Sequence, residues 1–294
     1  MTPARANRPG IIRGIPLAEA FLHDLGPSGP GVLDARRVAL VCAHPDDETI
    51  GLGAQLPRLA GVRVIHVTDG APADMRDAVS HGFATREDYA QARRDELESA
   101  MAVAGIPPVR LVGLGIADQE ACQVMAGIAR RLAELVDQKD IGIILTHAFE
   151  GGHPDHDSTC FAVHAAAALL RLEGRPAPVI LEFTGYHTGP DGNLESGIFL
   201  PDPGKPEELA MPLAEEDRDL KRRLLDCHKS QAAVLVQFPL VPERVRVAPT
   251  YDFFQPPFAQ AWYDQFSWGC TADRWRDMAA EAIAQLGLEA PPWA

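Results

Sequence analysis

Two short segments combine residue types that bind metal ions and move protons. The first is Ala43-His44-Pro45-Asp46-Asp47-Glu48, the second Gly151-Gly152-His153-Pro154-Asp155-His156. Histidine and carboxylate side chains serve a catalytic zinc, which takes three protein ligands and leaves a position for water. His44 and one of the two aspartates can supply two ligands from one turn, and a histidine of the second segment the third. Adjacent residues do not easily face one point, so Asp46 and Asp47 are expected to divide the work. One binds the metal. The other faces the metal-bound water, whose pKa zinc lowers to ~7. His153 and His156 stand i, i+3 and share a face once a helix has begun. One can ligate while the other stabilises an oxyanion or protonates a leaving group. Taken singly, each segment has a plainer explanation, since Asp-Asp-Glu at a helix start is also an N-terminal charge cap. Their joint occurrence favours the metal. Ferrous iron suits the same ligands as zinc.

The elements that must position these segments are legible as continuous apolar runs at residues 37–43, 62–68, 109–114, 141–146 and 179–186. Between them lie helical patterns at 49–59, 86–104, 119–137 and 157–172, with a loop-like stretch at 71–85. Strand and helix in strict alternation predict parallel strands joined by right-handed crossovers. Strands without polar alternation suit a sheet covered on both faces. The fold class expected is α/β: a Rossmann-like, doubly wound, mostly parallel sheet with helices on both faces, plus a C-terminal loop-rich or β extension. A strand order of 3-2-1-4-5 makes strands one and four neighbours at the point where the order reverses, where ligands bind. Both segments follow those two strands. The pair Gly51-Leu52-Gly53 falls inside a helix, and the first turn carries carboxylates that repel phosphate, so NAD and FAD are discounted.

In domain terms, residues 1–36 read as an N-terminal arm, with three prolines by position 16 and no apolar secretory region. Residues 37–235 form the core, with a Pro-, Gly- and acid-rich loop or lid at about 188–214 and a helix at 215–235. Residues 236–294 form an extension packing on the core, irregular or β-like at 242–257 and closing with a helix at 272–286.

The chain has 294 residues, 46% hydrophobic and 23% charged, as a folded globular protein does. Lys and Arg number 27 against 41 Asp and Glu, a formal charge of −14, which argues against nucleic acid as a partner. No apolar run reaches the ~20 residues of a membrane span. The five cysteines are scattered and form no C-x-x-C pair, which suits reduced thiols in the cytoplasm.

The two segments resemble the signatures of the PIG-L / LmbE-like family of zinc-dependent N-acetylglucosaminyl deacetylases. Weaker features agree: Val67-Thr68-Asp69-Gly70, Arg93-Arg94-Asp95-Glu96-Leu97 with Ala104-Gly105, and Lys221 followed by His228-Lys229-Ser230-Gln231. The resemblance covers about residues 37–235. It implies His44, Asp47 and His156 as ligands of one zinc ion, Asp46 as general base, and His153 as oxyanion stabiliser or acid. The implied reaction is hydrolysis of an N-acyl group, usually acetyl, from an amino sugar or its conjugate, a small-molecule partner. Homo-oligomerisation is compatible with this reading. Arg76, Asp118 and Glu48 are the candidates for substrate binding, with a solvated surface role the plainer reading of Arg76 and orientation of a ligand or capping of its helix that of Glu48. Arg93 and Glu96 are expected either to brace the site as a pair or to form an ordinary i, i+3 surface pair, and His228 and Gln231 either to support the site or simply to occupy a helix face. His66, His81, His164 and His187 are expected to be structural. The aromatic run at 251–258 either walls the pocket or belongs to the core. Two alternatives stand beside this reading. One is an N-acyl deacylase of a lipid, glycopeptide or secondary-metabolite conjugate. The other is a noncatalytic sugar- or nucleotide-binding module.

Overall fold

The computed structural model describes residues 14–201, 207–291 and 293. Seven strands form its main sheet: β1 Val38–Cys42, β2 Arg63–Pro72, β3 Leu111–Asp118, β4 Ile143–His147, β5 Val179–Phe183, β6 Leu209–Met211 and β7 Glu243–Val247. Their order is β6-β7-β5-β4-β1-β2-β3. The five strands β3-β2-β1-β4-β5 are mutually parallel and reproduce the expected 3-2-1-4-5 arrangement. The chain then returns to add β7 antiparallel to β5 and β6 antiparallel to β7.

The helices are α1 Ile15–Leu25, α2 Asp47–Leu52, α3 Arg76–Ser80, α4 Arg86–Val103, α5 Met125–Lys139, α6 Pro154–Leu172, α7 Glu215–Leu225, α8 Ala232–Leu235 and α9 Ala272–Leu286. Side chains of a strand alternate between faces, and here both faces are apolar. Ala39, Val41, Ile65 and Ile144 enter a core shared with α5, α6 and α9. Val38, Leu40, Val64 and Leu145 enter a second core shared with α1, α2 and α4. Continuous Val, Ile and Leu runs are therefore what this sheet requires.

Several elements differ from the sequence expectation. The helix expected at 49–59, α2, begins inside the motif at Asp47 and ends at Leu52. The stretch after β2 holds the short helix α3. The expected helix at 215–235 breaks after Leu225, and β5 ends at Phe183. Within the loop at 188–214, Tyr186–Thr188 pairs with Leu194–Ser196 as a hairpin and Leu209–Met211 edges the sheet. Residues 202–206 of that loop lie outside the described residues, as do residues 1–13 of the arm. The rest of the arm contains α1. Its Ala18, Phe21 and Leu25 recur at helical spacing and are buried in the second core.

That burial gives a test. Phe21 is 7% exposed, so Phe21→Ala is expected to cost about 3 kcal/mol, read as a lower urea midpoint at unchanged slope. A change below about 0.5 kcal/mol would mean that α1 only rests on the surface.

Candidate active site

β1 and β4 are hydrogen-bonded neighbours, so the turns at their carboxyl ends meet. Asp47 Oδ1 lies 3.1 Å from His156 Nε2, and Asp47 Oδ2 lies 3.4 Å from His44 Nδ1. The three residues offer donor atoms all within 4.8 Å of one another, and all three are buried. Three bonds of ~2.1 Å at tetrahedral angles would set donor atoms ~3.4 Å apart. Two imidazoles and one carboxylate at these separations therefore fit a single divalent cation.

The backbone amide of His44 donates to Asp47 Oδ2 at 2.7 Å, fixing the carboxylate against its own turn. Burial would raise the Asp47 carboxyl, but His156 and His147 hold it well below the usual range. His44 Nε2 points away from this cluster, 3.1 Å from Asp118 Oδ1 and 3.2 Å from Asp155 Oδ2. Asp155 in turn accepts the amides of Gln119 and Ala121. The carboxylate thus ties the loop after β3 to the back of a candidate ligand, and such partners fix imidazole orientation.

Asp46 lies beside the cluster and lines the same pocket. Its φ is +139°, an unusual value for a residue with a side chain. Four hydrogen bonds hold it there. Its amide donates to Glu48 Oε2 at 3.1 Å, its carbonyl accepts the amides of Thr49 and Ile50, and Arg93 reaches Oδ2 at 3.2 Å. Burial pushes the Asp46 carboxyl up to about 8, with Arg93 opposing and Asp47 reinforcing. Arg93 also donates to the carbonyls of Gly70 and Pro45. A Cβ on Gly70, whose φ is +70°, would stand 2.7 Å from the guanidinium carbon, so that glycine leaves the path for Arg93.

His153 caps α6. Its Nδ1 accepts the Asp155 amide at 3.1 Å, which leaves the proton on Nε2. Nε2 lies 3.9 Å from Asp118 Oδ1. Burial and the neighbouring His44 push the His153 imidazolium well down, so the ring is neutral. The two glycines before it have separate reasons. Gly151 has φ +72°, whereas a Cβ on Gly152 would fall 2.0 Å from the Tyr186 carbonyl oxygen. The amides of Glu150 and Gly151 donate to Asp157 Oδ1, and Tyr263 donates to its Oδ2.

His44, Asp46, Asp47, His153 and His156 line a cavity of about 340 Å³. Arg76 and Asp118 line it, and Arg76 is paired with Asp74. Glu48 is corrected: it is fully buried, accepts from Thr49, His66 and the Asp46 amide, and does not line the cavity. Nor do Arg93 and Glu96 pair; Glu96 accepts from Ser230 instead. Gln231 lines the cavity and donates to Tyr89, while His228 is buried 3.7 Å from Glu48 Oε1. Tyr251 and Phe253 belong to the core, not the pocket wall.

Sequence reasoning missed His147, Asp155, Phe238 and Trp268. His147 accepts the Ala43 amide at 3.0 Å and stacks on His156 with ring centroids 4.1 Å apart. Its place as the last residue of β4 was an available signal, as was the enclosure of Asp155 within the second motif. Trp268 lies against His153 with centroids 4.6 Å apart, and nothing in its local sequence marks it.

Residues 39–167 match the PIG-L family, described as GlcNAc-PI de-N-acetylase. The probable N-acetyl-alpha-D-glucosaminyl L-malate deacetylase 2 of Bacillus cereus is 30% identical over 205 residues, 69% of this chain and 86% of that protein. The chain belongs to the PIG-L family. The 1D-myo-inositol 2-acetamido-2-deoxy-alpha-D-glucopyranoside deacetylase of Thermobifida fusca is 26% identical over 244 residues, covering 69% of this chain and 85% of its own length. The crystallised N,N'-diacetylchitobiose deacetylase of Pyrococcus horikoshii shares the fold, with a TM-score of 0.53 at 19% identity over 85% of this chain and 98% of that one. No helix among the described residues is long and apolar enough to cross a membrane.

Arg93 offers a stability test specific to this site. Arg93→Met leaves Asp46 and two carbonyls without their donor, and is expected to cost about 3 kcal/mol in urea unfolding of the metal-free protein. A loss under about 1 kcal/mol would show that the guanidinium is not what holds the turn.

Proposed function

We propose that this protein is a metal-dependent hydrolase that removes an N-acyl group, acetyl in the first instance, from an amino sugar or amino-sugar conjugate. The observation that carries this reading is the 3.1 Å approach of Asp47 to His156 with Asp46 beside them in the same pocket. His44, Asp47 and His156 would hold one divalent cation, zinc or ferrous iron, and membership of the PIG-L family supports an amide of N-acetylglucosamine type as substrate. Such a cation supplies Lewis acidity toward the amide carbonyl and lowers the pKa of a water molecule.

The chain's own groups do the rest. Asp46, whose ionised form a divalent cation beside it would favour, accepts a proton from the attacking water as the water oxygen bonds to the acyl carbon. His153, fixed by the Asp155 amide on Nδ1, presents Nε2–H to the cavity as a hydrogen-bond donor. That polarity suits the developing oxyanion better than delivery of a proton to the amine. Asp46 then returns its proton to the leaving nitrogen as the C–N bond breaks, giving a carboxylic acid and an amine, and the acid's proton passes to the amine to leave carboxylate and ammonium. Arg93 positions Asp46 throughout, and Asp155 with Asp118 orients His44.

Amine release from N-acetylglucosamine and its simple glycosides tests the reading. Turnover is expected to vanish with a chelator and return on adding zinc. Asp46→Asn should lower kcat by about 10²- to 10⁴-fold while metal analysis still finds the ion, whereas Asp47→Ala should lose the ion. Near-normal turnover in Asp46→Asn would falsify the base assignment. His153→Ala should lower kcat about 100-fold, with His153→Gln, which keeps an N–H donor, recovering part of it. Equal loss in both variants would instead make His153 an acid.

A further inference from the structure

A second group of metal-binding side chains lies in the core beneath the first turn. Cys42 ends β1, and His66 is its register partner in β2, so both side chains leave the sheet on the same face. Glu48 comes from α2. These three residues offer donor atoms all within 4.8 Å of one another. His66 Nε2 lies 2.9 Å from Glu48 Oε2. On the other carboxylate oxygen, His228, from the turn after α7, brings its Nε2 to 3.7 Å from Oε1. Cys42, Glu48 and His228 are 0% exposed and His66 is 2% exposed.

Hydrogen bonds account for Glu48 but not for the histidines. Glu48 accepts from Thr49, His66 and the Asp46 amide. Among the described residues, His228 has no hydrogen-bond partner on either ring nitrogen, and His66 has none on Nδ1. A neutral imidazole carries one N–H and one lone pair, and enclosing polar atoms without partners is costly. A cation at this point turns idle lone pairs into bonds.

The donor set has a definite preference. Thiolate and imidazole select zinc over magnesium or calcium. Bonds of ~2.0–2.3 Å at tetrahedral angles set donor atoms ~3.3–3.7 Å apart. The 3.7 Å contact meets that directly, and the 2.9 Å contact opens slightly as the ion replaces a hydrogen bond. One thiolate and one carboxylate cancel the charge of a divalent ion, so ion and ligands together are formally neutral. That balance lowers the cost of enclosing them away from water.

We propose that Cys42, Glu48, His66 and His228 hold a structural zinc ion, distinct from the cation assigned to His44, Asp47 and His156. Four protein ligands and no water position are the pattern of a closed, structural site. Binding releases the Cys42 thiol proton to solvent and leaves both imidazoles neutral. The ion joins β1, β2, α2 and the turn after α7 at one point. Because Glu48 also takes the Asp46 amide, it braces the turn that carries Asp46. The site is enclosed, so the ion enters as the chain folds. This assignment stands independently of the hydrolase reading.

The test refolds the full chain from urea with cobalt(II) as probe. Thiolate ligation gives cobalt a sulfur-to-metal charge-transfer band in the near ultraviolet, which nitrogen and oxygen ligands do not. Two equivalents per chain are expected, with the band complete at one. Asp47→Ala should lose one equivalent and keep the band, whereas Cys42→Ala should lose one equivalent and the band with it. His228→Gln should weaken the band-forming equivalent by at least about tenfold, since loss of a mere outer partner already costs that much. A wild-type chain without the band overturns the proposal. So does a band undiminished in Cys42→Ala, which would give the cobalt to another cysteine, or affinity unchanged in His228→Gln. Should Cys42→Ala fail to fold, the wild-type band and its behaviour in His228→Gln decide. A single equivalent without the band sinks this site and leaves the hydrolase cation standing. A single equivalent with the band does the reverse.

Discussion

Asp47 is a buried carboxylate met by imidazoles from His44, His147 and His156 and by the amide of its own turn. Burying an anion costs far more than a hydrogen bond returns unless positive charge or fixed donors compensate it. The compensation here comes from two turns a hundred residues apart in the chain, and it exists only because β1 and β4 lie side by side. Much of the surrounding structure serves that meeting. Gly152 lets the second turn pass under the hairpin backbone, Asp157 ties down the amides before it, and Tyr263 closes Asp157 from the far side.

A second set of contacts does the same for the first turn. Asp46 keeps an unfavourable backbone angle because Glu48, Arg93 and the start of α2 all fix it at once. Strain of this kind persists only where the surroundings over-determine it. Glu48 is held in turn by His66. The acidic run that looks like a simple helix cap in one dimension is therefore split three ways: Asp46 toward the cavity, Asp47 toward the histidines, and Glu48 into the core beneath.

How far the sequence could be read follows from what each feature depends on. The five parallel strands were legible because both faces are covered, so each strand is an unbroken apolar run. The convergence of the two motifs followed from strand order alone. The helix α1 escaped notice because prolines and glycines around it suggest an arm, while its three buried residues are visible only against the sheet edge they cover. The partners of Arg93 and Glu96 were misread because i, i+3 spacing on a helix says which side chains are near, not which carboxylate across a turn competes for them. Phe238 and Trp268 were out of reach for a related reason. They sit in stretches with little periodic structure, and only the chain's return over the pocket brings them to His153 and Tyr186.

The division of the cavity by chain position has an evolutionary reading. Every side chain proposed to handle the catalytic metal or the proton lies at or before residue 156, whereas Val234, Leu235, Phe238 and Trp268, which line the same cavity, come from the later part of the chain. The later stretch thus supplies cavity wall and none of the side chains proposed for the catalytic metal or the proton. A lineage can redraft the later stretch by insertion or replacement, and so acquire new clients, without touching the apparatus that breaks the bond.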